Sequence, residues 1–368
     1  MHKTRLFLQS TAFRKFKKNT IGMVSLIFIL AAIFIAFFAY LIAPDKTENA
    51  NWGDLSIKSK QPGFEVLMLS VPIKNAPEFS FSEYFFGQQQ RFYHYPIQEF
   101  SISDNKITYT QYSDDKDISI EKEVFLTDFP NEKNMQSAAQ KYIKNQQFYL
   151  GTDKSGRDYL SRMIVGSRIS LSIGFVAVFI SLVIGLFFGG ISGYFGGKAD
   201  AVVMWFINIV WSIPTLLLVI AITLTLGKGF WQVFVAVGLT MWVEVARVVR
   251  GQVISLKQSQ YVTAAKALGY SHGRILIKHI LPGVTAPIIV ISAANFASAI
   301  LVESGLSFLG LGAQPPTPSW GGMIKESYSD IILGKPYLAL IPGAGILLLT
   351  LSFMMVGNTL RDVLDVKK

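Results

Sequence analysis

Few side chains in this 368-residue chain are of a type and spacing that could do chemistry. The four histidines are His2, His94, His272 and His279. None begins an HExxH pattern, and none stands with acids at metal-ligand spacing. There is no cysteine, which excludes disulfides, zinc–thiolate sites and a thiol nucleophile. Gly196-Gly197-Lys198 is not a phosphate loop, because Ser192 stands where the first glycine is needed and Ala199 replaces Ser/Thr. The chain is therefore not expected to bind ATP itself, and no catalytic, metal or cofactor site is expected.

Glu244 is the one acid embedded in an apolar segment, and such a carboxylate is a functional candidate by default. Arg247 follows at i+3, so an interfacial ion pair is expected in preference to a proton relay. Asp200, Glu303 and Asp362 lie at the ends of apolar segments, where they are expected to be solvated or locally paired. His279, next to Lys278, is expected to be structural rather than a pH switch.

Tyr261–Pro282, YVTAAKALGYSHGRILIKHILP, is a polar island between long apolar stretches. Thr263–Leu268 is helix-prone and Gly269 interrupts it. A short helix, a glycine bend and a second helix re-entering the membrane at Pro282 would form a knob through which a soluble partner could apply force. The other reading that these residues allow is an ordinary interfacial amphipathic helix.

The elements that hold this island are membrane spans. The composition is 51% hydrophobic and 16% charged, too apolar for an ordinary soluble domain. The run Ile21–Ala43 would be about 35 Å long as a helix, too long for a signal-peptide core and long enough to span. Further spans are expected at about 169–192, 203–226, 230–249, 284–302 and 338–357, making six. The net charge of +10 is unevenly distributed: residues 44–168 balance to −2 and the remainder to +12. Placing both termini inside puts 16 Lys/Arg in cytoplasmic segments, against Lys228, Lys325 and Lys335 in short outer loops. The positive charge beside apolar spans points to anionic lipid rather than to nucleic acid.

Residues 44–149 are too many for a structureless connection. Strands are expected at Ile107–Tyr112 and Ile118–Leu126 and a helix at Asn134–Gln147, as in a small extracytoplasmic α+β domain; a partly disordered spacer is the other reading. In the second span Ala177, Ser181, Gly185, Gly189, Gly193 and Gly197 recur every four residues, so another helix can approach closely, within the subunit or from a second one. Pro214, Pro287 and Pro342 are expected to break the third, fifth and sixth spans, as a transport pathway allows.

The island resembles the EAA loop of ABC importer permeases. Ala264, Ala265, Gly269, Leu281 and Pro282 fall at that loop's spacing, His279 holds its isoleucine-type position, and Thr263 replaces its glutamate. LGTDKSGRDYLSRMIVGSRISL at 150–171, WVEVARVVRGQVISL at 242–256, ESGLSFLGLGAQPPTPSWGGMI at 303–324 and GNTLRDVLDVKK at 357–368 look like segments of the C-type permease of dipeptide/oligopeptide importers. The likeness covers about 13–43 and 150–368. Where that family often carries Arg and Asp in its third helix, this chain has Trp205 and Asn208.

The resemblance implies an all-α polytopic membrane protein of the type I importer permease fold, with six spans and the inserted domain. The divisions would be a basic cytoplasmic start (1–20), a first span (21–43), the insert (44–149), a permease core (150–357) with its EAA loop (251–282), and a cytoplasmic tail (358–368). It implies a heterodimer with a homologous B-type permease, two cytoplasmic ATPase subunits docked on the EAA loops and an extracytoplasmic substrate-binding protein. ATP binding would draw the coupling helices together and open the pathway outward. Pro214, Glu303 and Phe308 are candidates for the pathway or gate. Import of another small solute such as a nickel chelate, an ion-coupled secondary transporter, and a membrane-anchored enzyme or receptor built on residues 45–149 are the alternatives; neither midplane acids nor inverted repeats favour the ion-coupled one.

Overall fold

The computed structural model describes residues 11–115, 119–130, 132–227 and 229–364. The first ten residues of the basic start, Lys228, the tail beyond Leu364 with Lys367 and Lys368, and Ile118 at the head of one expected strand lie outside the described residues. Helix α1 (Thr11–Lys18) leads into α2 (Thr20–Phe37), which Asn19 caps by accepting from the Gly22 amide at 3.0 Å. After residues 44–149 come α4 (Tyr159–Phe195), α5 (Gly197–Ser212), α6 (Thr215–Leu226) and α7 (Phe230–Lys257); the insert's own helix is α3 (Met135–Tyr142). The short α8 (Gln260–Ala267) follows, then α9 (Thr285–Phe308), α10 (Trp320–Glu326) and α11 (Tyr337–Leu364). Among the described residues five helical stretches are long and apolar enough to cross a membrane, and α5 with α6 makes a sixth if that bent pair is one span.

The insert is an antiparallel sheet in the order β4-β3-β2-β1-β5, built from β1 (Phe64–Pro72), β2 (Phe92–Ser103), β3 (Lys106–Gln111), β4 (Glu121–Phe125) and β5 (Ile143–Phe148). Its register places Leu67 opposite Ile97, Ile102 opposite Ile107, and Ile107 opposite Val124. Alternate side chains therefore face α3, where Leu69, Ile97, Ile107, Met135 and Ala138 are fully or almost fully buried. Asn134 caps α3 through the Ser137 amide at 2.8 Å. The helix stops at Tyr142, however, and 143–148 is a strand where helix was expected to continue to Gln147. Phe148 to Ile143 pairs with Phe64 to Leu69, and that ladder overrides a weak local preference.

The spans pack chiefly as α4 against α7, α9 against α11, α4 against α9, and α2 against α11. Only one of the three prolines breaks its span. At Ile213-Pro214 the axis turns by 92° between α5 and α6. Pro287 lies in the first turn of α9, just after the tight turn at Leu281–Val284, and the helix continues through it. Pro342 lies inside the continuous α11 and leaves the Leu338 carbonyl without its i+4 donor. The Tyr159 hydroxyl donates to that carbonyl from α4, so the helix continues.

The insert is fastened to the membrane helices by polar contacts. The Lys335 ammonium donates to Ser59 O at 2.7 Å and the Tyr337 hydroxyl to Lys60 O at 2.8 Å. Arg157 binds Asp153 at 2.6 Å, Glu326 at 2.9 Å and the Asn51 side chain at 3.0 Å. Arg162, 2% exposed at its side chain, stands 3.5 Å from Asp153 and 3.7 Å from Glu326. The same junction holds Asp45 and Asp158, whose carboxyls burial pushes above the usual range.

Candidate functional site

The polar island folds as a bent helical pair. Ser259 precedes α8, and the helix ends where Gly269 takes φ +75, a left-handed conformation that suits glycine. The Gly269 amide donates to Lys266 O at 3.0 Å and the Tyr270 amide to Ala265 O at 3.2 Å, closing the last turn. Helix resumes at His272 and runs through a wide turn at Leu276–Ile280 and a tight one at Leu281–Val284 into α9.

One face of the pair is seated and the other is free. Val262 and Ala265 are buried with Ile275, Ile280 and Val284 against Val249 and Val253 of α7 and Tyr194 of α4. Thr263, Ala264 and Gly269 are exposed, and Leu268 is 72% exposed. A Cβ placed on Gly269 would meet no atom within 4 Å. Thr263 Oγ1 turns back to Ser259 O at 3.4 Å, a local contact. His279 stacks on Tyr270 with ring centroids 5.7 Å apart, Leu281 is half-buried, and Pro282 is exposed at the tight turn. A polar chain holds the pair in place: Lys257 donates to Tyr194 O at 2.5 Å, and the Tyr194 hydroxyl lies 2.9 Å from His272 Nδ1.

The small-residue stripe of α4 faces α7 of the same chain. A Cβ on Gly185 would lie 2.5 Å from Val245, on Gly189 2.5 Å from Ala246 O, and on Gly193 2.8 Å from Arg250 O. At the end of this seam Arg250 binds Asp200 in a fork, both contacts at 2.6 Å. Asp200 is thus paired across helices rather than locally, while Asp362 is exposed.

The expected Glu244–Arg247 ion pair does not form. Arg247 lies over the Trp211 ring at 3.4 Å and donates to Asn208 Oδ1 at 2.9 Å, both on α5. Glu244 is exposed and has no hydrogen bond or ion pair among the described residues. It opens on a cavity of ≈ 230 Å³ whose wall takes Trp211 from α5, Thr215 from α6, Thr240 from α7, and Ser298 and Val302 from α9.

The three pathway candidates are not brought together there. Pro214 and Glu303 each adjoin a lining residue in sequence, but neither they nor Phe308 line the cavity among the described residues. Pro214 is exposed at the bend. Glu303 is 2% exposed, paired locally rather than solvated, with Oε1 accepting from Ser307 Oγ at 2.6 Å. Phe308 ends α9 with its ring 6.1 Å from that of Tyr328.

Residues 162–367 match the family described as the binding-protein-dependent transport system inner membrane component, and 8–62 match the N-terminal TM domain of oligopeptide transport permease C. The chain is 40% identical to the glutathione transport system permease protein GsiD of Pectobacterium atrosepticum, over 60% of this chain and 72% of the relative. It is 41% identical to the oligopeptide transport system permease protein OppC of Haemophilus influenzae, over 64% and 74%. It is 42% identical to the dipeptide transport system permease protein DppC of Alkalihalophilus pseudofirmus, over 60% and 72%.

Proposed function

This chain belongs to the binding-protein-dependent transport system inner membrane component family, and from that membership we propose that it is a multi-pass permease subunit of an ATP-driven importer of di- and oligopeptides. The observation that carries the reading is the family match over 162–367, the stretch that contains the bent helical pair. The names of the OppC, DppC and GsiD relatives support peptides as the substrate class.

In this reading the subunit is not catalytic. ATP is hydrolysed by two partner ATPases that dock on the coupling surface around Thr263, Ala264 and Gly269. A substrate-binding protein delivers the peptide, and a homologous B-type permease completes the pathway. Both termini and the coupling pair lie in the cytoplasm, with residues 44–149 outside, in keeping with the Lys/Arg count of the short loops. ATP-driven closure of the ATPases draws the two coupling surfaces together and shifts the permease between two states. With no glutamate at Thr263, the contact with the ATPase rests on the shape of the exposed face and on neighbouring groups such as Lys266.

The test is reconstitution of this chain with its permease partner, ATPase pair and binding protein in proteoliposomes. Peptide uptake that requires ATP is expected. Uptake driven by an ion gradient without ATP, or purification without any ATPase, overturns the reading.

A further inference from the structure

We infer that Glu244 is a substrate-contacting group in the translocation cavity, where its carboxylate engages a primary ammonium of the passing peptide. The inference rests on the peptide-importer reading and goes beyond it by naming the group and the chemistry it selects.

Position is the first support. Glu244 follows Phe230 by fourteen residues, about 21 Å along α7, a depth inside a hydrocarbon layer about 30 Å thick. A carboxylate at that depth is costly unless it faces protein or water. Here it faces a cavity bounded by α5, α6, α7 and α9 and open on one side.

Its available partners are the second support. The nearby cation in sequence, Arg247, is drawn away onto Trp211 and Asn208. The hydroxyls of Thr215 and Ser298, which share the cavity wall, make no hydrogen bond among the described residues. Thr240 donates to Val237 O at 2.9 Å and keeps its acceptor lone pairs. The cavity thus presents one full negative charge and several acceptors, a set that suits a three-donor ammonium. A volume of ≈ 230 Å³ is that of one residue's side chain or one peptide end, not a whole oligopeptide.

The ammonium can come from a peptide's N-terminus or from a lysine side chain. Both arms are tested by comparing wild-type and Glu244→Gln subunits in the reconstituted complex, with the binding protein unchanged. The substrates are Ala-Lys-Ala, Ala-Ala-Ala and Ala-Glu-Ala. A lysine contact predicts that the preference for Ala-Lys-Ala over Ala-Glu-Ala falls about tenfold, a typical worth of a charge-assisted hydrogen bond. An N-terminal contact predicts that all three slow together about tenfold and that Glu244→Asp recovers most of the loss. Rates and preferences within about twofold of wild type, or an equal loss that Glu244→Asp does not recover, overturn the inference. Absence of uptake of every peptide by the wild-type complex overturns the peptide reading itself, and this inference with it.

Discussion

At Gly269 the backbone sits at φ +75 with open space where a Cβ would be. A side chain there costs about 1 kcal/mol of backbone strain but displaces nothing inside the chain. Gly269→Arg is therefore expected to insert into the membrane at normal yield and to abolish ATP-driven uptake, because the added bulk lies on the surface proposed to meet the ATPase. Normal uptake by a stably inserted Gly269→Arg subunit would sink the coupling assignment. The bent helical pair was legible in the sequence because it is local: the helix, its glycine stop and the resumed helix all lie within Gln260–Ile275. Glu244 was not legible in the same way. Its expected partner Arg247 is held by Trp211 and Asn208, which lie 36 and 39 residues away, and no spacing rule reports that competition.

Among the elements, the α4–α7 seam is the most tightly constrained. Gly185, Gly189 and Gly193 leave no room for even one added carbon before backbone or β-branched side chains of α7 are met. With no water to drive helices together in lipid, that close packing supplies most of the attraction. Gly189→Leu is expected to cost about 1–3 kcal/mol or more and to lower the thermal midpoint of the purified complex measurably. Gly251→Ala, on the same α7 but facing open space, serves as the control and is expected to leave that midpoint unchanged. The stripe was visible in the sequence, but which helix it meets was not, since that depends on tertiary placement. The same limit explains β5: Ile143–Phe148 reads as a continuation of α3 until β1 is there to pair with it. It also explains Pro342, whose freed Leu338 carbonyl is satisfied by a hydroxyl 179 residues earlier.

For the whole molecule, the five to six apolar spans follow from hydropathy, whereas the proposed sidedness rests on the uneven Lys/Arg count. Protease added to the outer face of intact cells or right-side-out vesicles is expected to cut within 44–149 and spare 251–282. The reverse pattern would overturn the orientation. The insert's architecture was only partly legible: β3 and β4 are neighbours in sequence and in the sheet, but β5 joins through β1, which lies far earlier in the chain.

One geometric feature spans both ends of this machine. From His272 the helix runs with little interruption to Phe308, 37 residues or about 56 Å, and Ser298 lies about 39 Å from its exposed end. In the proposed coupling such a rod would act as a lever. Tilting it by about 6° about its exposed end carries Ser298 sideways by about 4 Å, roughly the width of a methylene chain. The change of pitch at Leu276–Val284 is then the compliant joint, and its stiffness sets how much of the angular input reaches the cavity wall rather than being absorbed as bending.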